Sequence, residues 1–382
     1  MDFRFSEAEQ QMDDAFRAFC DAEILPHSIE VDQAGGFPHA NYKKLADFGY
    51  LGLAHEERWG GTNVGTVEGL IAQDHLCRAC PSTFLSAGAS MGLFGGPVRS
   101  FASEEMQGEI LPGIVKGELI GAWALTEPHC GSDAVAMKTT AQRTDRGWVL
   151  NGSKMFITNG GSADWILVMA KTNPEAKHAG VSNFLVKKGT PGLSASKPLS
   201  KMGMRGSETV ALYFEDCEIP HEWLVGEEGY GFVQAMKTLE NGRLGMAAFG
   251  VGIAQAALDE ALKYTKQREA FGKPIIKFQP VHFKLADMKV LVDGARTLMY
   301  RAAWLHEQGR CSQAQYSAAK LFATEAAVKC TDLAVQVHGG YGYMSEYRIE
   351  HLYRDARLGP IGEGTSEIQR RLIAQETQAL FS

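Results

Sequence analysis

The order of residue patterns along the chain constrains its fold most strongly. Between Trp123 and about Val225 the sequence is rich in Thr, Val, Ile, Trp and Phe and is broken by Gly and Asn turns, which is typical of short β-strands. On both sides of this region, apolar residues recur at helical spacing. We therefore predict a mainly α, α+β fold with an N-terminal helical domain over 1–119, a middle antiparallel β domain over 120–228 and a C-terminal four-helix bundle over 229–382.

Helix-start signals and apolar periodicity locate the predicted helices. Ser6-Glu7-Ala8-Glu9 is a capping box, which predicts a helix at the beginning of the chain. Further N-terminal helices are predicted over 42–48, 66–80 and 103–113. Four C-terminal helices are predicted over 231–267, 280–308 and 312–337 and after Ser366, and their length favours a packed bundle.

The middle region contains several short apolar runs that predict strands. They span 165–171, 184–188, 193–197 and 210–215. Asn151-Gly152 lies between two apolar runs, and this dipeptide is a strong signal for the turn of a β-hairpin. Closely spaced strands of this kind predict a small antiparallel sheet or barrel.

Charge and composition exclude several classes of function. The net charge of −7 and the pI near 5.9 argue against a nucleic-acid-binding surface. No apolar stretch reaches the roughly 18 residues of a membrane span, and the first residues resemble no signal peptide, so we expect a cytoplasmic protein without a membrane span. Cys77 and Cys80 have the spacing of a metal or redox pair, but no second pair accompanies them, and we predict no metal site.

A glutamate between two glycines is the first candidate for a functional residue. Glu363 lies between Gly362 and Gly364, directly before a helix for which Ser366 is a candidate cap. Glycines permit unusual backbone dihedral angles or the close approach of another molecule. The alternative interpretation is a solvated glutamate in a surface loop.

Four other segments have the composition of a ligand site. Thr126 to Asp133 combines hydroxyls, a glycine and an acid, and Phe156 to Gly160 places a hydroxyl beside an aromatic residue. Arg268 to Pro274 and Gln336 to Gly340 add cations and exposed backbone, as a pyrophosphate group would require. Each segment also has a purely structural interpretation, as a turn or as a surface ion pair.

Taken together, these segments resemble the acyl-CoA dehydrogenase family. The resemblance extends in order over nearly the whole chain and includes Leu125 to Pro128, Gly131 to Asp133, Lys201 to Ser207 and Glu363-Gly364-Thr365. It implies an FAD-dependent enzyme that removes two hydrogens from an acyl-CoA thioester and passes electrons to an electron-transfer flavoprotein. It also implies that FAD lies between the β domain and the C-terminal bundle.

The resemblance implies roles for individual residues. The positions that match cofactor-binding residues are Trp123, Leu125, Thr126, Ser132, Phe156, Thr158, Arg268, Phe271, Gln336, Gly340 and Thr365. The positions that match substrate-binding residues are Ser132, Leu239, Arg243 and Gly364. In the family, the positions matched by Arg268, Phe271, Gln336 and Gly340 hold the ADP half of the FAD of a neighbouring subunit, which implies a homotetramer.

Glu363 matches the catalytic base of the family. Some members carry this base instead on the long helix, directly before an arginine matched by Arg243, but Gly242 occupies that position here. Glu240, two residues earlier, points away from this direction on a helix, and we expect it to be structural or to lie on the surface. Arg243 is expected to lie near the Glu363 loop and to orient it.

Two departures from the commonest family pattern affect the expected substrate. Gly362 occupies a position where many relatives have tyrosine, and His129 and Cys130 occupy positions that are usually small. Loss of the aromatic residue widens the expected acyl pocket, so branched, cyclic and bulky acyl groups all remain candidate substrates.

The alternative functions are a non-catalytic flavin-binding protein of the same fold, an acyl-CoA oxidase and an enoyl-CoA reductase.

Overall fold

A computed structural model describes residues 4–379 of the chain. The predicted capping box is present, because the Ser6 hydroxyl accepts the Glu9 N–H at 3.2 Å and the Glu9 carboxylate accepts the Ser6 N–H at 2.6 Å. The helices of the N-terminal part are α1 (Glu7–Phe19), α2 (Ser28–Ala34), α3 (His39–Asp47), α4 (Thr66–Ala79), α5 (Pro81–Gly88), α6 (Gly95–Phe101) and α7 (Glu104–Val115). A π-helical segment, Ala89–Phe94, joins α5 to α6.

The middle part of the chain forms one sheet. Its strands are β1 (Gly121–Ala124), β2 (Thr140–Thr144), β3 (Gly147–Thr158), β4 (Trp165–Lys171), β5 (Val181–Lys187), β6 (Leu193–Ala195), β7 (Thr209–Pro220) and β8 (Leu224–Val225). The strand order is β6-β7-β3-β2-β4-β5-β8, with β1 also paired to β4. Most neighbours are antiparallel as predicted, but β1 and β2 pair with β4 in parallel, because loops or other strands rather than a hairpin separate these partners.

The prediction of a hairpin turn at Asn151-Gly152 is wrong. The turn instead occupies 145–146, and Asn151 and Gly152 lie inside the long strand β3, where the register with β7 shifts. Gly152 has φ +146, and a Cβ atom there would lie 2.6 Å from Oγ1 of Thr139. The glycine therefore permits a close approach of β3 to Thr139, and the dipeptide alone does not distinguish this role from a turn.

The C-terminal part is helical as predicted, and it contains one α-helix, Arg348–Ala356, in addition to the four predicted. Its elements are α8 (Gly231–Gln267), β9 (Glu269–Ala270), β10 (Lys273–Pro274), α9 (Gln279–Glu307), α10 (Gln313–His338), α11 (Arg348–Ala356) and α12 (Ser366–Ala379). Helix α8 packs against α10 and α9 on one side and against α4 of the N-terminal part on the other. Across residues 4–379, none of the helices combines the length and the apolar character that crossing a membrane would require.

Helix α11 ties the three parts of the chain together. Arg354 forms an ion pair with Asp32 of α2 at 2.6 Å and donates to the backbone carbonyl of Met202 at 3.1 Å. The adjacent Asp355 accepts a hydrogen bond from the backbone N–H of Met204. These contacts hold the loop that follows β6 against both helical parts, so they position the sheet relative to the bundle.

We expect Arg354→Met to destabilise the protein strongly. The Arg354 and Asp32 side chains are only 12% and 7% exposed, and removal of one partner of a buried pair typically costs about 3–5 kcal/mol. Arg370→Met is the matched control, because Arg370 and its partner Glu325 are 54% and 40% exposed and such pairs contribute about 0–1 kcal/mol. Urea unfolding of both variants measures the difference, and equal losses would contradict this account.

Candidate active site

The turn that carries Glu363 has a strained backbone. Glu363 has φ +51 and Gly364 has φ +94, so two consecutive residues adopt left-handed conformations. The hydroxyl of Thr365, rather than that of Ser366, accepts the Ile368 N–H at 3.4 Å at the beginning of α12. A residue other than glycine in the left-handed backbone conformation typically costs about 1–3 kcal/mol of conformational free energy. Such residues are concentrated at functional sites.

The carboxylate of Glu363 is buried without a hydrogen-bond partner for one of its oxygens. Its Oε2 atom has no partner among the described residues. Burial raises the pKa of Glu363 to about 7, against the opposing positive charges of Lys320 and Arg243. A carboxylate whose pKa lies near neutral pH is suited to accept a proton from a substrate.

The space occupied by this carboxylate lies directly against α8. A Cβ atom on Gly242 would overlap Oε2 of Glu363 and would lie 3.5 Å from Cδ2 of Leu93, which the π-helical segment Ala89–Phe94 carries. Gly242 therefore both leaves the alternative position on α8 without a carboxylate and makes room for the carboxylate of Glu363. Leu239 lies one turn earlier on α8 and is half-buried.

Arg243 and Glu240 belong to one chain of hydrogen bonds. Arg243 donates from Nη1 to the side chain of Gln313, and Gln313 donates from Nε2 to Glu240. Glu240 is thus occupied by a structural contact, in line with the expectation for it. Against the effect of burial, the positive charge of Arg243 acts to lower the pKa of Glu363, while its hydrogen bond goes to Gln313 and not to Glu363.

A second group of predicted site residues forms a surface of the sheet. Phe156 in β3 is 65% exposed and has φ +60, and Thr158 at the end of β3 is half-buried. Thr126 is joined to β3 through a hydrogen bond from the Met155 N–H to its carbonyl at 2.8 Å. The strained backbone holds the aromatic ring of Phe156 at the surface, which is the arrangement expected where a planar ligand covers the ring.

This surface reaches α8 through Trp123 and Leu125. Both side chains pack in one apolar cluster with Phe232 and Met236 of α8. The indole Nε1 of Trp123 is a buried donor without a partner in the described part of the chain. Ser132 lies exposed on the loop that follows. The unpaired donor fits a site completed by a polar cofactor.

Sequence reasoning missed the buried ion pair beneath this surface. Lys154 donates to Glu127 at 2.8 Å and to the carbonyl of Leu125 at 3.1 Å, and the two side chains are 0% and 1% exposed. Burial acts to raise the pKa of Glu127, but the charge and hydrogen bonds of Lys154 outweigh it and lower that pKa. The ionised pair fixes the loop that presents Leu125 and Thr126.

A third group lies at the C-terminal ends of α8 and α10. Arg268, Gln336 and Gly340 line one open groove of about 450 Å³. The guanidinium of Arg268 lies 5.5 Å from the ring centre of Tyr341. Phe271 does not line this groove. It lies at the tip of the β9–β10 hairpin, 96% exposed and with φ +52.

The structure thus brings the predicted residues together as three groups. Thr365, Gly364 and Arg243 lie near Glu363, the residues of β1 and β3 form the sheet surface, and Arg268 belongs to the groove. A buried proton acceptor, combined with a sheet surface suited to a planar redox cofactor, defines a cofactor-dependent oxidoreductase.

Comparison with known proteins identifies the family. The acyl-CoA dehydrogenase N-terminal domain matches residues 6–118, the middle domain matches 122–217 and the C-terminal domain matches 229–378. The chain belongs to the acyl-CoA dehydrogenase family. It is accordingly an FAD-dependent oxidoreductase that acts on the CH–CH group of acyl-CoA thioesters, which confirms the predicted fold class, enzyme class and cofactor.

Individual relatives resemble the chain over nearly its whole length. The short-chain specific acyl-CoA dehydrogenase of Mus musculus mitochondria is 42% identical, over 96% of this chain and 89% of the relative. The structure of butyryl-CoA dehydrogenase from Megasphaera elsdenii matches with 37% identity and a TM-score of 0.95, over 99% of this chain and 100% of the other. An FAD complex of PigA matches with 31% identity and a TM-score of 0.94, over 99% of both chains.

We expect Gly242→Ala to lower activity without lowering stability. The new Cβ must displace the Glu363 carboxylate, and a catalytic group misplaced by about 1 Å can lower the rate about 100-fold. Stability should not fall, because alanine in a helix is more stable than glycine by up to about 1 kcal/mol. Gly245→Ala on the same helix is the control, since its Cβ would meet only Gln73 at 3.4 Å. Single-turnover kinetics and thermal melting measure both effects, and an unchanged rate would show that Glu363 tolerates the displacement.

Proposed function

We propose that the chain desaturates a short acyl-CoA thioester between its α and β carbons, with Glu363 as the base. The observation that carries this proposal is the buried carboxylate of Glu363, which has an unpaired oxygen and a pKa of about 7. A carboxylate that is held away from other partners is free to accept a proton from a carbon acid. The names of the mouse and Megasphaera relatives support the choice of a short acyl chain.

Different residues are proposed to bind the flavin and to accept the proton. Trp123, Leu125, Thr126, Phe156 and Thr158 would hold the flavin ring, with Ser132 and Thr365 at its edges. When bound, FAD supplies the acceptor for the hydride that leaves the β carbon, because no side chain accepts a hydride. Glu363 takes the α proton, and the nearby half-buried side chains exclude water from its carboxylate.

Substrate binding is proposed for residues around the base. Leu239, Arg243, Gly364 and Ser132 would contact the thioester and its CoA arm. Gly362 is the position that controls the space beside the reacting carbons: a Cβ there would come no closer than 3.6 Å to its neighbours, here the carbonyl of Leu358, so a side chain can be accommodated. Because Gly362 has no side chain, there would be room for a branch in the acyl group.

The proposed assembly is a homotetramer in which neighbouring subunits complete the FAD site. Phe271 is 96% exposed on a strained turn, and Phe283, Val290 and Tyr343 are 64%, 71% and 81% exposed. Contiguous exposed apolar surface typically marks an interface between proteins, and these side chains are the proposed contributors to it. Arg268, Gln336, Gly340 and Phe271 would hold the ADP half of the FAD of the neighbouring subunit.

We also propose the electron acceptor and the cellular location. The sequence has no G-x-G-x-x-G segment after a strand, so a nicotinamide is disfavoured as the direct acceptor and an electron-transfer flavoprotein is favoured. All seven cysteines are free thiols, which fits the reducing cytoplasm. Dye-linked turnover that is much faster than peroxide formation in air would support this acceptor over oxygen, the acceptor of an oxidase.

We expect Glu363→Gln to abolish most of the flavin reduction by butyryl-CoA. Loss of a positioned general base typically costs about 10² to 10⁴-fold in rate. Because the ionised form is the active one, the wild-type rate should rise with pH through about 7, and the variant should lose this dependence. Anaerobic stopped-flow absorbance measures both, with bound FAD as the control for folding. Near-native bleaching by the variant would place the base elsewhere.

We expect Gly362→Tyr to change the choice between substrates. A tyrosine beside the reacting carbons should reduce kcat/KM for a branched acyl-CoA about 10-fold or more relative to butyryl-CoA, since one or two carbon atoms in a pocket are worth about that much. The ratio of kcat/KM for isobutyryl-CoA and butyryl-CoA is the measurement. Equal losses on both substrates would mean that the substitution distorts the Glu363 turn.

We expect Arg268→Ala to lower the FAD content and to weaken the oligomer together. Both effects follow if the groove of one subunit binds the cofactor of another. Arg146→Ala is the control, because the Arg146 side chain is 84% exposed in the β2–β3 turn. Sedimentation and flavin absorbance measure the two quantities, and a monomer that retains full FAD would contradict the shared site.

A further inference from the structure

Lys320 is a charged residue in a place where packing alone does not require one. It lies on α10 with 0% of its surface exposed, and its Nζ donates to the backbone carbonyl of Gly364 at 2.8 Å. A buried ammonium group carries a desolvation penalty of several kcal/mol, and an apolar side chain of similar volume often gives a fold at least as stable. The presence of a buried ammonium group at Lys320 therefore points to a role beyond packing.

The carbonyl that Lys320 holds belongs to the turn of the base. Gly364 directly follows Glu363, and both residues have positive φ. Gln369, which is fully buried, donates to the same carbonyl at 3.0 Å. Two donors on one carbonyl fix the orientation of this peptide unit and hold the turn in its strained conformation.

The charges that face Lys320 and Glu363 come from several elements. Burial lowers the pKa of Lys320 to about 8; the carboxylates of Glu363, of Glu325 on α10 and of Glu367 on α12 oppose this shift, and Arg243 on α8 adds to it. Burial raises the pKa of Glu363, and the charge of Lys320 opposes that shift more than the charge of Arg243 does. Without Lys320, Arg243 alone would oppose the burial of the carboxylate.

We propose that Lys320 is a positioning residue for the reaction. Its ammonium group holds the Glu363 turn through the carbonyl of Gly364, and its positive charge keeps the Glu363 carboxylate ready to accept a proton. This inference rests on the proposed role of Glu363 as the base. In this role Lys320 acts through Glu363 and the carbonyl of Gly364 and does not itself transfer a proton.

The test compares Lys320→Met and Lys320→Arg with the wild type over pH 6 to about 10. Flavin reduction by butyryl-CoA under anaerobic conditions gives the midpoint of the pH profile. Loss of an opposite charge near a carboxylate typically raises its pKa by about 1–3 units, so Lys320→Met should shift the midpoint upward by this amount. Lys320→Arg keeps the charge and should return the midpoint toward 7. Lys329→Met, an exposed lysine on the same helix, should leave it unchanged.

A purely structural role predicts a different result. A lysine that only stabilises the fold would give a lower rate at every pH with an unshifted midpoint, and this result in Lys320→Met would overturn the proposal. Glu363→Gln, measured alongside, separates the two hypotheses. If it bleaches the flavin at a near-native rate, the proposed function of Glu363 fails, whereas an inactive Glu363→Gln with an unshifted Lys320→Met overturns only the role of Lys320.

The double variant Lys320→Met with Glu363→Gln covers the case in which Lys320→Met does not fold. The double variant carries neither charge, so coupling between the two side chains predicts that it folds and binds FAD at pH 9 where the single variant does not. Thermal melting and FAD content provide the measurement. A double variant that is no more stable than Lys320→Met would show that the two groups are uncoupled and would overturn the proposal.

Discussion

The close packing of α8 between two helical parts is the constraint on which the rest of the structure depends. Gly250 faces the backbone of α10, and Gly252 faces α4, where a Cβ atom would lie 2.7 Å from that of Cys77. Larger side chains at these two positions would force the three helices apart. Because α8 is 37 residues long, it places Gly242 and Arg243 beside Glu363 and ends directly before Arg268 at the groove.

Buried charge is the second theme of the site. Glu127 and Lys154 neutralise each other beneath the sheet surface. The desolvation penalty of burying them is offset by hydrogen bonds, which also hold a loop. Glu363 differs, because one of its oxygens has no partner in the described range and its pKa lies near neutrality. The fold tolerates this unfavourable arrangement at Glu363, and buried groups with strongly shifted pKa values cluster at functional sites.

Local patterns predicted the long regular elements well. Helix α8 spans 231–267 and strand β4 spans 165–171, both as predicted, because uninterrupted apolar periodicity over many residues leaves few alternatives. Short signals were less reliable. Asn151-Gly152 has the composition of a hairpin turn but lies inside β3 opposite a register shift of β7, because pairing with β7 and not the dipeptide alone decides whether the chain turns there.

The sequence by itself determined the order of helix, sheet and helix, the family and the identity of the candidate base, because each of these is written in periodicity or in motifs of adjacent residues. Only the tertiary structure revealed that Lys320 lies against the Glu363 turn, that Lys154 pairs with Glu127 and that Gly242 makes room for the carboxylate. A lysine in a sequence is expected to be solvated. Its burial and its partner depend on which helices and strands pack together, and residues distant along the chain decide that.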